Sequence, residues 1–304
     1  MFGWFKKNTM KRLIIINAES LETRVAVLEN GSLEELQIEH PTEERIVGSI
    51  YKGKIQNLEH DLQAAFVDIG LRKNAFLHYW DMVPDDDARF EFEDEGRRGR
   101  GGRRQRYSNS EIERRFPPGS EIVVQVAKGP IGTKGPRVTA TLSIPGRYLV
   151  MMPGTTLRGV SRKIGDDRER QRLKKVLARL PLLQDTGLIA RTVAAGASKL
   201  SIARDLRALI GVKEELNRAM VEKPAPCCIY QEPDIIERVV RDWLTEDIDS
   251  IIVDSPEEYG KIRDVAARVS RRAKGKIRHY EGDLPVFEHY RMMPELDRWV
   301  ARHA

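Results

Sequence analysis

Ile50–Leu77 reads IYKGKIQNLEHDLQAAFVDIGLRKNAFL. Short runs of Val, Ile, Phe and Tyr lie between Gly, Asp and Asn, the pattern of strands separated by tight turns. The stretch carries three lysines, Lys52, Lys54 and Lys73, and two phenylalanines, Phe66 and Phe76. On a strand surface, two such rings stack on bases while the ammonium groups follow a phosphate backbone. The same rings also fit the interior of a small barrel. The stretch alone leaves both readings open.

Outward from it, the sequence is consistent with a binding protein for a polyanion. The chain has 304 residues, enough for two or three domains that each bury a core. Net charge is +6, which favours an anionic partner, although many proteins are mildly basic. The two cysteines, Cys227 and Cys228, are adjacent. Neighbours in a strand point to opposite faces, which argues against a disulfide framework, and no CxxC pair exists for zinc. Two thiols in a reducing compartment are the simpler expectation. Leu13–Ile16 is too short to span a bilayer. MFGWFKKN, before Met10, lacks the apolar core of a signal peptide, so a cytoplasmic protein is expected.

Three β-type runs open the chain, Arg12–Asn17, Thr23–Leu28 and Leu33–Glu39, with the preferred hairpin dipeptide Asn30-Gly31 between the last two. Short strands continue through Ile50–Ser143. They are interrupted by a biased segment, acidic from Asp85 to Glu95 and then GRRGRGGRRQR from Gly96 to Arg106. This segment is too poor in apolar residues to fold alone. It suits either an RNA clamp by charge and guanidinium stacking or a solvated loop whose two halves attract each other. Helical spacing then appears over Asp166–Leu180 and Ser198–Glu222, the second strained or broken near Gly211. From Cys227 strands and helices alternate: Cys227–Tyr230, Asp234–Leu244, Ser250–Val253, Pro256–Arg272 and Lys276–Tyr280. Alternation of this kind predicts a parallel sheet with crossover helices, completed by the opening hairpin. Glu232, Asp234 and Asp254 lie near strand ends, where two-metal nucleases place carboxylates. Asp234 and Asp254 read more simply as helix starts.

The order of several motifs resembles the bacterial RNase E/G family. They are MKRLIIINA (Met10–Ala18), IYKGKI, QAAFVDIG and AFLH, TKGPRVTATLSIPGRYLVMMP (Thr133–Pro153), GLIARTVAAGAS (Gly187–Ser198), KPAPCCIYQEPDIIERVVRDWL (Lys223–Leu244) and DLPVFEHY (Asp283–Tyr290). The resemblance implies a mixed α+β, multidomain chain. Residues 1–9 would be an amino-terminal extension. Residues 10–44 and 223–304 would form a discontinuous RNase H-like domain. Residues 45–144 would form an inserted OB-fold β-barrel, with an acidic and Arg-Gly loop at 82–116, and 145–222 an inserted α/β 5′-sensor region. It implies RNA contacts by Phe66, Phe76, Lys52 and Lys134. It also implies a 5′-monophosphate pocket at Gly146, Val150, Arg191 and Thr192. The chemistry suits that role: arginine grips a phosphate dianion with parallel donors, a threonine hydroxyl adds another, and glycine admits close backbone approach.

The resemblance also implies parts that this sequence does not contain. Family enzymes cleave with a following DNase I-like domain whose aspartates, in stretches like DVN and later IDF, hold magnesium. A zinc-binding cysteine motif then links subunits into a homo-oligomer. The expectation is therefore the RNA-binding and 5′-monophosphate-sensing portion of a magnesium-dependent endoribonuclease that acts on single-stranded RNA in rRNA processing and mRNA decay. This portion carries no catalytic residue and no cofactor of its own. The alternative is a stand-alone RNA-binding protein or scaffold that does not cut.

Overall fold

The computed structural model describes residues 12–39, 46–82, 108–181, 184–243, 248–269, 274–294, 296 and 298. The amino-terminal extension and the whole of the acidic and Arg-Gly segment Asp85–Arg106 lie outside the described residues. The described residues divide into two compact units, one from Met1–Glu44 with Pro233–Ala304 and one from Arg45–Glu232.

In the first unit, β1 (Arg12–Ala18), β2 (Thr23–Glu29) and β3 (Ser32–Glu39) form an antiparallel meander. Asn30 and Gly31 both take positive φ, 53° and 86°, as the tight hairpin turn requires. β14 (Ile248–Val253) pairs parallel with β1, and β15 (Ile277–His279) parallel with β14. The opening hairpin does lie in the sheet with the parallel strands. Ile14, Ile15 and Ile16 have no exposed surface, because the sheet is covered on both sides. Ile14 and Ile16 pack with Ile235, Val239 and Ile262 from the helices Ile235–Trp243 and Pro256–Val269. Ile15 packs with Val286, Phe287 and Met292.

The second unit holds a closed barrel and a smaller sheet. β4 (Ile50–Glu59), β5 (Ala64–Asp68), β6 (Ala75–His78), β8 (Arg137–Thr139) and β7 (Glu121–Lys128) form the ring, closed where β7 returns to β4. Tyr51, Ile55, Val67, Leu77, Val124 and Val138 fill it, and Ile112 of helix α1 (Asn109–Arg115) joins them. β9 (Ile144–Pro145), β10 (Leu149–Pro153), β11 (Arg158–Val160) and β12 (Thr186–Ala190) make a four-stranded sheet. One of its faces, with Leu149, Met151, Leu188 and Ala190, is buried under helices α2 (Asp167–Arg179) and α3 (Lys199–Glu222).

Two expectations are corrected. The strand β13 (Cys227–Tyr230) does not enter the parallel sheet: it pairs antiparallel with β4, placing Cys227 opposite Lys52 and Tyr230 opposite Ile50. A four-residue apolar run fits either sheet, and the alternation pattern cannot tell them apart. Helix α3 is also unbroken at Gly211. Glycine costs about 1 kcal/mol in a helix interior, less than the burial of Ile202, Leu206, Leu209 and Leu216 along the same helix returns. The two cysteines do diverge, Cys227 packing with the sheet-and-helix core and Cys228 with the barrel core. Both are free and half-buried, and burial pushes the Cys228 thiol up. Among the described residues no helix is long and apolar enough to cross a membrane.

Candidate nucleic-acid interface

Strand alternation decides where the phenylalanines go. In β5, Ala65 and Val67 are buried and Phe66 between them points out; in β6, Ala75 and Leu77 are buried and Phe76 points out. The register sets Phe66 directly opposite Phe76. Their rings meet edge to face, 5.8 Å between centroids at 75°, and both stay half-buried. Neither belongs to the barrel core, so of the two readings left open by the sequence, the outward one describes the molecule. The row continues in both directions, with Asn57 opposite Phe66 and Arg137 beside Phe76. Arg137 sits 3.2 Å from Asp81, its side chain 37% exposed.

The two lysines differ. Lys134 is exposed, in the 131–134 turn. Lys73 ties that turn to the start of β6 by donating to the Gly132 carbonyl (2.7 Å), and the Phe76 N–H donates to the Pro136 carbonyl (2.8 Å). Lys134 therefore stands near the aromatic pair. Lys52 does not. It lies on β4 five residues from Asn57, a separation of roughly 16 Å along a strand. Its ammonium is 2.8 Å from Glu121 and donates to the Lys223 carbonyl at 3.1 Å, and the side chain is only 14% exposed. Lys52 is a fastening between the barrel and the segment leading into β13. Both partners are remote in the chain, so nothing local to Lys52 announces them.

The four remaining residues come together at one end of the smaller sheet, where its central strands β10 and β12 begin and finish. β10 and β12 pair so that Val150 faces Ile189, and Arg191 follows on the same face. Gly146 lies in the turn from β9 to β10. The Arg191 guanidinium donates to the Gly146 carbonyl at 2.6 Å, and the Arg191 N–H donates to the Tyr148 carbonyl at 2.8 Å. Thr192 is exposed and opens a single helical turn, Thr192–Ala194, with its hydroxyl 3.2 Å from that of Ser161.

The residue that organises this turn is Asp205 of α3, which sequence reasoning missed. Its carboxylate accepts from the backbone N–H groups of Arg147 (2.9 Å), Tyr148 (2.7 Å) and Leu149 (2.9 Å). Burial pushes its carboxyl up, against the pull of those three N–H groups and of the Arg191 charge. Gly146 is small for this reason: a Cβ there would lie 2.8 Å from either Asp205 oxygen and 2.9 Å from Leu209 Cδ1. The close approach expected of the glycine is thus to Asp205. The N–H groups of 147–149 are engaged by protein, and the Gly146 N–H donates to the Leu149 carbonyl. Beside these engaged N–H groups lie the Arg191 guanidinium, on the Gly146 carbonyl, and the Thr192 hydroxyl, next to that of Ser161.

Helix α2 braces the neighbouring loop. Glu169 binds Arg172 through both carboxylate oxygens (2.8 and 2.6 Å) and accepts from the Gly196 N–H (2.8 Å). The Arg172 hydrogen bonds, chiefly, hold the Glu169 carboxyl down at about 2. The strand-end carboxylates are engaged otherwise than as a metal site. Asp254 accepts from Asn17 Nδ2 (2.6 Å) and the Ala18 N–H (2.9 Å). Asp234 accepts from the Glu237 N–H (2.8 Å) at the start of its helix, and Glu232 accepts from the Tyr230 hydroxyl (3.3 Å). Among the described residues no group of three or more His, Cys, Asp or Glu is disposed to hold a metal ion.

Comparison with known proteins agrees with the motif order. The Ribonuclease E/G family profile matches residues 143–304. Ribonuclease G of Salmonella typhimurium (strain SL1344) is 36% identical over 292 residues, 95% of this chain and 57% of the relative. Ribonuclease G of Escherichia coli (strain K12) is 35% identical over the same length. Ribonuclease E of Haemophilus influenzae is 35% identical over 293 residues, 95% of this chain but 29% of the relative. The chain spans a little over half the length of the ribonuclease G proteins it matches. With a family profile over 143–304 and relatives aligned across 95% of its length, the chain belongs to the ribonuclease E/G family.

Proposed function

We propose that this chain is the RNA-recognition portion of a ribonuclease E/G-type endoribonuclease. The barrel serves as an OB-type platform for single-stranded RNA, and Arg191 with Thr192 grips a 5′-monophosphate. The carrying observation is the Phe66–Phe76 pair, set outward from a barrel whose core is complete without it. Stacking on such rings needs unpaired bases, which selects single strands. At the turn, the Arg191 guanidinium is held at the Gly146 carbonyl, next to Thr192, and a guanidinium beside a hydroxyl suits a terminal phosphate. The first unit acts as an RNase H-like scaffold in this reading.

In this reading the magnesium belongs to the part of the family enzyme outside this chain; the strand-end carboxylates Asp254, Asp234 and Glu232 are held by backbone and side-chain partners, and among the described residues no carboxylate cluster is disposed to hold a metal. No hydrolytic step is assigned to this chain, which binds RNA and does not cut it, with or without added magnesium.

The test is affinity for one single-stranded RNA with a 5′-monophosphate or a 5′-hydroxyl end. The unmodified chain should prefer the monophosphate by about tenfold, the worth of one charged hydrogen-bonding contact. Arg191→Ala should abolish the preference and leave hydroxyl-ended binding nearly unchanged. Equal affinities in the unmodified chain refute the end-sensing half. Magnesium-dependent cleavage abolished by Asp254→Asn refutes the assignment of catalysis elsewhere.

A further inference from the structure

We propose that His78 and Trp80 extend the phenylalanine pair into a track of four rings, and that the Trp80 indole stacks a further base of a single-stranded nucleic acid. This rests on the barrel being an RNA-binding face.

From Ala75 to Trp80 the chain alternates without interruption. Ala75, Leu77 and Tyr79 are buried, while Phe76, His78 and Trp80 are half-buried on the other side. The alternation survives the change from strand to helical turn at Tyr79–Asp81. The outward rings are contiguous. Phe66 meets Phe76 at 5.8 Å, Phe76 meets His78 at 4.6 Å and 88°, and His78 lies stacked on Trp80 at 3.9 Å and 16°. The imidazole is therefore a spacer: set perpendicular to Phe76, it holds the indole parallel to itself.

The barrel core leaves this row out. It is made by the inward residues of the same strands. A contiguous strip of large rings left half-open to water marks a binding surface. The charges beside it choose the ligand. Arg137 is beside Phe76 in register, and Arg72, Lys73 and Lys134 are exposed around the turn that leads into β6. Asp81, next to Trp80, is matched by Arg137. A polymer of planar bases joined by phosphates satisfies rings and cations together. The track then has two ends. The phenylalanines hold the first two bases, and Trp80, at the far end of the row, holds one that a dinucleotide seated on them does not reach.

The experiment measures affinity of the whole chain for oligouridines of two and about ten nucleotides, the longer covering the range of one small barrel. Trp80→Leu keeps apolar bulk and removes the aromatic face. It should weaken the long oligomer about tenfold and leave the short one unchanged. Trp80→Phe should restore most of the loss. Tryptophan emission should be quenched by the long oligomer in the unmodified chain and less so in Trp80→Phe. Phe66→Ala should weaken both lengths. If Trp80→Leu binds the long oligomer normally while Phe66→Ala does not, the extended track is wrong and the RNA-binding reading stands. If Trp80→Leu weakens both lengths equally with a lowered melting temperature, the indole acts through barrel stability and the track is also wrong. If the unmodified chain binds neither oligomer, both readings fall.

Discussion

On the barrel, Phe66 and Phe76 stand opposite one another because strand register puts them there, and removing either ring leaves every ladder hydrogen bond in place. At the turn after β9, the N–H groups of Arg147, Tyr148 and Leu149 all depend on the carboxylate of Asp205. The first surface separates recognition from stability, since its functional groups point away from the core. The second fuses them, since the group that shapes the turn is a buried charge facing the proposed phosphate ligand, Arg191.

The contrast is broken or sharpened most strongly at Asp205. Asp205→Ala strands three backbone donors and removes the negative charge that faces Arg191, so unfolding free energy should fall by roughly 3 kcal/mol. Any preference for a 5′-monophosphate should vanish with it. A denaturant titration that finds the variant as stable as the parent would show that the turn is held by its strands, and the contrast would dissolve. The barrel should behave in the opposite way. Phe66→Ala and Phe76→Ala should each weaken RNA binding by about 1–3 kcal/mol, while stability changes by less than about 1 kcal/mol. Large losses of stability with little change in affinity would make the rings structural.

A finer probe is Gly146→Ala. Its methyl group must displace either Asp205 or Leu209, at a cost of about 1–2 kcal/mol, whereas glycine-to-alanine changes in open turns are nearly free. Equal stability of the variant by thermal melting would mean that α3 can draw back. The smallest effect concerns Glu169. Its carboxyl titrates near 2 in the folded chain, against an ordinary value of 4.5. The depressed group contributes stability that is fully present above 4.5 and is lost as pH falls towards 2. Glu169→Gln should therefore lower the melting temperature slightly at neutral pH, and the gap to the parent should close in acid. A gap that persists at the lowest pH would mean that packing, not charge, braces the Thr192 loop.

These differences also govern what the sequence revealed. Period-two alternation announces which barrel residues point outward, so Phe66 and Phe76 could be singled out, with only the choice of face left open. Element types were legible wherever an apolar period ran long enough, as in α2, α3 and the three opening strands. The partner of β13 was not, because four residues carry no record of which edge they join. Lys52 was misleading for a related reason: its lysine-rich surroundings suggest a phosphate contact, but Glu121 and the Lys223 carbonyl occupy it through contacts between distant parts of the chain. Asp205 was silent. An aspartate within a long helix looks like any solvated charge until the fold brings residues 147–149 to it.

The pairing of β13 with β4 has one more consequence. The second unit begins and ends at the same place: Tyr230 is opposite Ile50, and the Glu232 N–H donates to the Ser49 hydroxyl at 3.0 Å. The sheet of the first unit draws no strand from it. A segment whose two ends are already zipped together behaves as a cassette. It can be spliced into a loop of a host, or lifted out, without threading and at little loop-closure cost. The discontinuity of the first unit follows from this: its two chain segments flank a self-closing module that carries both the aromatic row and the Asp205-bound turn.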